Sequence, residues 1–133
     1  MIVADTNLIA YFLINSGFTA EARVVYQKDP DWIAPVLWQS EFRNVLIQSL
    51  RHAFLSLDDV LSIMERAEGL MKDNGYQMDS SRVLRLAAGS GCSAYDCEFV
   101  ALAQDLDVPL VTSDQTLIAK FSPTAVSMRS FCA

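Results

Sequence analysis

A chain of 133 residues, 52 % of them hydrophobic, is long enough to bury one core and too short for two, so it reads as a single domain over residues 1–133. No repeat, low-complexity tract or linker-like stretch divides it. The formal charge of −6 leaves no basic stripe and excludes a tight binder that grips nucleic acid by charge alone; it is neutral about a site whose acids are themselves loaded with metal.

Residues 2–4, Ile-Val-Ala, form an apolar run suited to a buried strand, and the spacing that follows predicts a helix over residues 7–15, broken at Gly17. Thr19 can cap a second helix to about residue 28, with Glu21 favourably placed in its first turn. A turn at residues 29–31 leads to a second strand, 32–34, and Pro35 suits the approach to a helix. Trp38, Phe42, Val45, Leu46 and Leu50 then recur at helical spacing to about residue 52. Ser56-Leu57-Asp58-Asp59 has the form of a capping box opening a helix to about residue 72, stopped by Asn74-Gly75. A third strand is expected at 76–78, a helix capped by Asp79 or Ser80 through residue 88, and a loop at 89–91. Ser93 precedes a helix over 94–106, followed by a strand at 109–111, a short helix at 114–120 and a last strand at 125–127. Short apolar strands alternating with helices predict an α/β fold: a central, mostly parallel sheet of four or five strands, covered by helices on both faces.

In such folds ligands gather outside the carboxyl ends of the strands, where the strand order reverses. Asp5 directly follows the first strand and Asp114 follows the fourth. Glu41 lies in the helix after the second strand, and Asp96 in the first turn of the helix leading to the fourth. At helical spacings of three and four residues, Glu41, Asp96 and Asp114 find no basic partner. Acids set against apolar neighbours are unfavourable unless something positive compensates them, and a divalent cation would compensate several at once. Oxygen donors of this kind suit Mg²⁺ or Mn²⁺. Three of the acids also have an ordinary structural reading: an Asx turn at Asp5, an N-cap at Asp114, a helix-dipole role for Asp96. Glu98 lacks a local basic partner too, so the local test alone does not select the site. It is the conjunction of the four that carries weight.

Four segments resemble the PIN domain, and within it the VapC-like toxin nucleases: residues 2–9 (IVADTNLI), 38–46 (WQSEFRNVL), 95–103 (YDCEFVALA) and 109–114 (PLVTSD). They occur in the family's order, across nearly the whole chain. The resemblance implies a three-layer α/β/α sandwich and a metal-dependent endoribonuclease using Mg²⁺ or Mn²⁺, with Asp5, Glu41, Asp96 and Asp114 as catalytic and metal-binding residues. Asn7 and Thr112 would be the supporting polar positions, Asn7 standing where the family often has serine. The resemblance further implies an RNA substrate, products with 5′-phosphate and 3′-hydroxyl ends, a homodimer, and a small antitoxin that covers the site.

Two alternatives stand beside this reading. A Mg²⁺-dependent phosphatase of the haloacid-dehalogenase kind wants an aspartate two residues after Asp5, and Asn7 counts against it. A non-catalytic PIN-like binding module would lack one of the acids, and none is missing. A two-histidine ribonuclease mechanism is excluded, because His52 is the only histidine. The longest apolar run, residues 8–14, is too short to span a membrane, and the opening residues do not form a signal peptide. Cys92, Cys97 and Cys132, odd in number and without metal-finger spacing, read as reduced thiols of a cytoplasmic protein.

Overall fold

A computed structural model describes residues 1–72 and 75–133. The expected helix stop at Asn74 lies outside these residues. In chain order the elements are β1 (Ile2–Ala4), α1 (Thr6–Leu13), α2 (Thr19–Lys28), β2 (Trp32–Pro35), α3 (Trp38–Arg51), α4 (Leu57–Met71), β3 (Gly75–Tyr76), α5 (Ser80–Ser90), α6 (Ala94–Leu106), β4 (Leu110–Val111), α7 (Gln115–Phe121), β5 (Ala125–Val126) and α8 (Met128–Cys132).

The strands form one parallel sheet in the order β3-β2-β1-β4-β5. Ile2 and Val3 pair with Trp32 and Ile33 on one side of β1, while Val3 and Ala4 pair with Leu110 and Val111 on the other. From β1 the chain moves outward through β2 to β3, then returns across the sheet to β4 and on to β5. Right-handed crossovers therefore put α1 to α4 on one face and α5 to α7 on the other, a three-layer sandwich. The contacts agree: α1 packs on α2, α3 and α4, whereas α6 lies across β1, β2 and β4 with α5 against it. The direction of travel reverses between β1 and β4, so that point is the switch point.

All three residues of β1 and both of β4 are buried, as a central parallel strand covered on both faces requires. Trp38, Phe42 and Leu46 carry the apolar stripe of α3 into the same core as Leu8, Ile9 and Trp32. Cys97 is fully buried beside Val83 and Ala101, packing as a small apolar residue. The capping box at Ser56 forms in both directions: its hydroxyl accepts from Asp59 N–H, and the Asp59 carboxylate accepts from Ser56 N–H.

Several boundaries differ from expectation. Thr19 is not the cap of α2. Phe18 occupies that position without a side-chain bond, and the Thr19 hydroxyl turns back to donate to Tyr11 O at 2.7 Å. Helix α5 runs through Gly89 and Ser90 and stops at Gly91, whose φ of 77° is the left-handed conformation glycine favours at a helix end. Strand β3 sits at Gly75–Tyr76 rather than 76–78, and β2 extends one residue further than expected, through Pro35. Helix α8 was not expected from the sequence; Ser127 caps it, with its hydroxyl accepting from Ser130 N–H.

Phe42 is fully buried where α3 meets the sheet. Phe42→Ala should destabilise the protein by about 3–5 kcal/mol. Urea unfolding would measure it, and a loss below about 1 kcal/mol would contradict this packing.

Candidate active site

The switch point brings Asp5 and Asp114 to one edge of the sheet. Asp5 is the first residue beyond β1, and its N–H still reaches across to Val111 O at 3.2 Å. Its side chain caps α1, Oδ1 accepting from Thr6 N–H at 2.8 Å. Oδ2 accepts from the Thr112 hydroxyl at 2.6 Å and from Asn7 Nδ2 at 3.3 Å. Thr112 is fully buried, and the same hydroxyl accepts from Asp114 N–H at 3.0 Å. One threonine thus ties the acid after β1 to the backbone of the acid after β4. Asp114 caps α7, with Oδ1 accepting from Thr116 and Leu117 N–H. Asn7 closes a second link, its Oδ1 accepting from Ser113 N–H at 3.4 Å. Tyr11 and Ser113 join hydroxyls at 3.2 Å beside it.

Glu41 enters from the first turn of α3. Its Oε1 accepts from the Thr6 hydroxyl at 2.7 Å. Asp96 enters from the first turn of α6, where the Ser93 hydroxyl caps the helix by accepting from Asp96 N–H. The four carboxylates act on one another electrostatically: Asp5 is influenced by Glu41 and Asp96, Glu41 by Asp96, and Asp96 by Asp114. Among the described residues the ion pairs are Met1 with Asp29 and Arg82 with Asp105, so no lysine or arginine neutralises the group.

Burial is the largest influence on the titration of Asp5, Glu41 and Asp96; hydrogen bonds oppose it and like charges add to it. Desolvation raises the Asp5 carboxyl from 3.8 to about 6, against the opposing hydrogen bonds from Thr112 and Thr6, with Glu41 and Asp96 adding to the rise. Desolvation also raises Glu41 and Asp96, helped by Asp96 and Asp114 respectively. Glu98 moves the same way through burial and through Glu41, and so stands within electrostatic reach of the cluster.

The structure therefore brings Asp5, Glu41, Asp96 and Asp114 to one sheet edge, with Asn7 and Thr112 bonded to Asp5. Among the described residues, no three histidine, cysteine or acidic side chains stand close enough to close round one ion by themselves. The cluster is an open set of oxygen donors. Sequence reasoning missed Thr6, because its partner lies 35 positions away. Its one local signal is a hydroxyl on the residue that starts the helix after Asp5. Tyr11 and Ser113 were missed for the same reason, being 102 positions apart.

An all-parallel α/β sandwich with carboxylates collected at its switch point, none ion-paired among the described residues, defines a class of proteins with an acidic site at the carboxyl edge of the sheet. Within that class, the PIN domain model matches residues 2–121, and the chain belongs to the PIN domain family. The fold is similar to the crystal structure of PAE2754 from Pyrobaculum aerophilum, with a TM-score of 0.78 and 18 % identity over 98 % of this chain and 92 % of that one. It is also similar to FitAcB from Neisseria gonorrhoeae, with a TM-score of 0.71 and 17 % identity over 97 % and 99 % of the two chains. A third likeness is to a toxin–antitoxin complex from Klebsiella pneumoniae, with a TM-score of 0.70 and 16 % identity over 96 % and 98 %. At these identities the likeness is one of fold. No curated protein matches the chain in sequence.

The raised Asp5 carboxyl gives stability a definite slope with pH. Its protonated form is favoured in the folded state, so its contribution is fully present below about 3.8 and is lost as pH rises through about 6. The span corresponds to about 3 kcal/mol. Asp5→Asn should therefore stabilise the metal-free protein relative to wild type at about pH 7 and lose that advantage near pH 4. Urea unfolding of both proteins at the two pH values measures this. A constant difference between them would contradict the assigned burial.

Proposed function

We propose that this protein is a Mg²⁺- or Mn²⁺-dependent endoribonuclease, that Asp5, Glu41, Asp96 and Asp114 form its catalytic centre, and that it is the toxin of a toxin–antitoxin pair. The observation that carries the reading is the convergence of four carboxylates, none paired with lysine or arginine among the described residues, at the switch point of a parallel sheet. Membership of the PIN domain family supports nuclease activity. The toxin–antitoxin assignment is supported by the fold shared with the Klebsiella pneumoniae complex. RNA is the proposed substrate, a small antitoxin the proposed partner, a homodimer the proposed assembly, and the cytoplasm the proposed location. No helix among the described residues is long and apolar enough to cross a membrane.

The donor set fits the proposed cation. It is made of carboxylate oxygens, with no thiolate or imidazole beside them, which suits a hard, octahedral ion. Such an ion is commonly held by one or two carboxylates, with water and substrate phosphate oxygens completing its shell, so an open cluster is adequate. Asp5, Asp96 and Asp114 are the proposed ligands, one or two of them binding the ion directly and the rest through water, and Glu41 would hold the ion through water or bind a second one. When bound, the ion lowers the pKa of water and polarises the phosphoryl group. The protein's own share is orientation. Thr112 and Asn7 fix the Asp5 carboxylate, and Thr6 fixes Glu41, so the acids hold their positions before substrate arrives. A carboxylate on the far side of the phosphate from the leaving oxygen would orient the attacking water in line with it. The expected products carry 5′-phosphate and 3′-hydroxyl ends.

Asp5→Asn and Asp96→Asn should each abolish Mg²⁺-dependent cleavage of RNA while circular dichroism shows a retained fold. Chelation of the metal should silence the wild-type protein, and added Mn²⁺ should restore it. Unchanged cleavage by both variants would defeat the assignment. Expression of the chain alone should slow bacterial growth, and co-expression of its neighbouring antitoxin gene should relieve the effect. Normal growth with confirmed active protein would count against the toxin reading.

A further inference from the structure

Thr6 touches two of the four acids. It is buried, with 7 % of its surface exposed, at the start of α1. Its N–H donates to Asp5 Oδ1 at 2.8 Å, and its hydroxyl donates to Glu41 Oε1 at 2.7 Å. The first bond is local and would form with any residue but proline at that position, because it uses the backbone N–H. The second is not: it needs a hydroxyl there and crosses from α1 to α3.

The hydrogen bonds divide the carboxylate oxygens into committed and open ones. A carboxylate oxygen has two lone-pair sites. Asp5 Oδ2 is filled by Thr112 and Asn7, and Asp114 Oδ1 by two backbone N–H groups. Glu41 Oε1 is committed to Thr6, whereas Glu41 Oε2 accepts no hydrogen bond among the described residues. A glutamate on a helix has three rotatable bonds and little reason to stay beside like charges. Without an anchor it can swing towards solvent.

We infer that Thr6 is a positioning residue for the cation site: its hydroxyl holds Glu41 by Oε1 beside Asp5 and turns a single oxygen, Oε2, towards the metal or its bound water. This rests on the proposed metal centre but not on the identity of the substrate. Thr6 acts through Glu41 and has no contact of its own with the ion.

The test is a double-mutant cycle read by Mn²⁺ binding, with the free ion followed by electron paramagnetic resonance and no RNA present. Thr6→Val keeps the shape and removes the hydroxyl; Thr6→Ser keeps the hydroxyl. Thr6→Val should weaken Mn²⁺ binding about tenfold, the range set by partners that orient metal ligands. Thr6→Ser should retain wild-type affinity. Glu41→Gln should also weaken binding, and Thr6→Val on top of Glu41→Gln should add nothing further. Thermal melts of all four proteins control for folding. If Thr6→Val alone unfolds, Thr6→Ser and Glu41→Gln still decide, because loss of affinity in Thr6→Ser or wild-type affinity in Glu41→Gln overturns the inference. Wild-type affinity in a folded Thr6→Val, or losses that simply add in the double variant, also overturns it. Failure of the wild-type protein to bind Mn²⁺ overturns both this inference and the metal centre. Mn²⁺ binding that follows the cycle, together with no cleavage of RNA, upholds the inference and defeats the ribonuclease reading.

Discussion

Everything at the site depends on where the hydrogen-bonded ladder between β1 and β4 runs out. Asp5 N–H makes the last bond across it, to Val111 O, and the side chain that follows has left the ladder without leaving the interior. A carboxylate in that position has lost water, and among the described residues no lysine or arginine pairs with it. Burial is the largest influence on its titration, and it raises the carboxyl. The surrounding polar groups hold a buried acid in place, since Thr6 N–H, the Thr112 hydroxyl and Asn7 Nδ2 all donate to it. They offset part of the burial without neutralising the charge. Glu41 and Asp96 then add further negative charge nearby, which no argument from stability alone would place there.

The arrangement sacrifices folding stability for a prepared site. An arginine or lysine among the four acids would relieve the repulsion, yet the described ion pairs lie elsewhere, at Met1 with Asp29 and Arg82 with Asp105. The buried side-chain polar atoms among the described residues all have partners, so the strain is one of charge and not of unmet hydrogen bonds. Neutral donors orient carboxylates while leaving their charge available to a ligand. Arginine would have occupied both oxygens.

How far the sequence could be read follows from the range of the interactions. The strands were legible because β1, β2 and β4 are short apolar runs between polar turns, and a sheet buried on both faces asks for that. Asp5 and Asp114 were legible because one directly follows β1 and the other follows β4 after two polar residues. Thr112 and Asn7 came only through resemblance, since nothing local shows a hydroxyl pointing across 107 positions to Asp5. Thr6 and its bond to Glu41 were invisible, because the contact depends on how α3 is rotated against α1. Glu98 misled the local test for a related reason. Its coupling is to Glu41, on another helix, and no neighbour in sequence reveals it. Boundaries shifted where tertiary contacts outweighed local signals. At Thr19 the hydroxyl closed the end of α1 in preference to capping α2.

The helical environment of the acids resolves an apparent conflict between their structural and chemical roles. Asp5 is the N-cap of α1 and Asp114 the N-cap of α7; Glu41 lies in the first turn of α3 and Asp96 in the first turn of α6. All four sit at the positive ends of helices, so the capping reading and the site reading describe the same residues. Helix N-termini stabilise negative charge by partial positive charge fixed in the backbone, and that charge cannot fold over onto a carboxylate as a lysine side chain can. The same field tolerates an approaching phosphate. A chain with a net charge of −6 and no basic stripe can therefore gather four acids and still admit an anion beside them. The balance is carried by backbone dipoles aimed at the sheet edge, and the proposed divalent ion would supply the remainder.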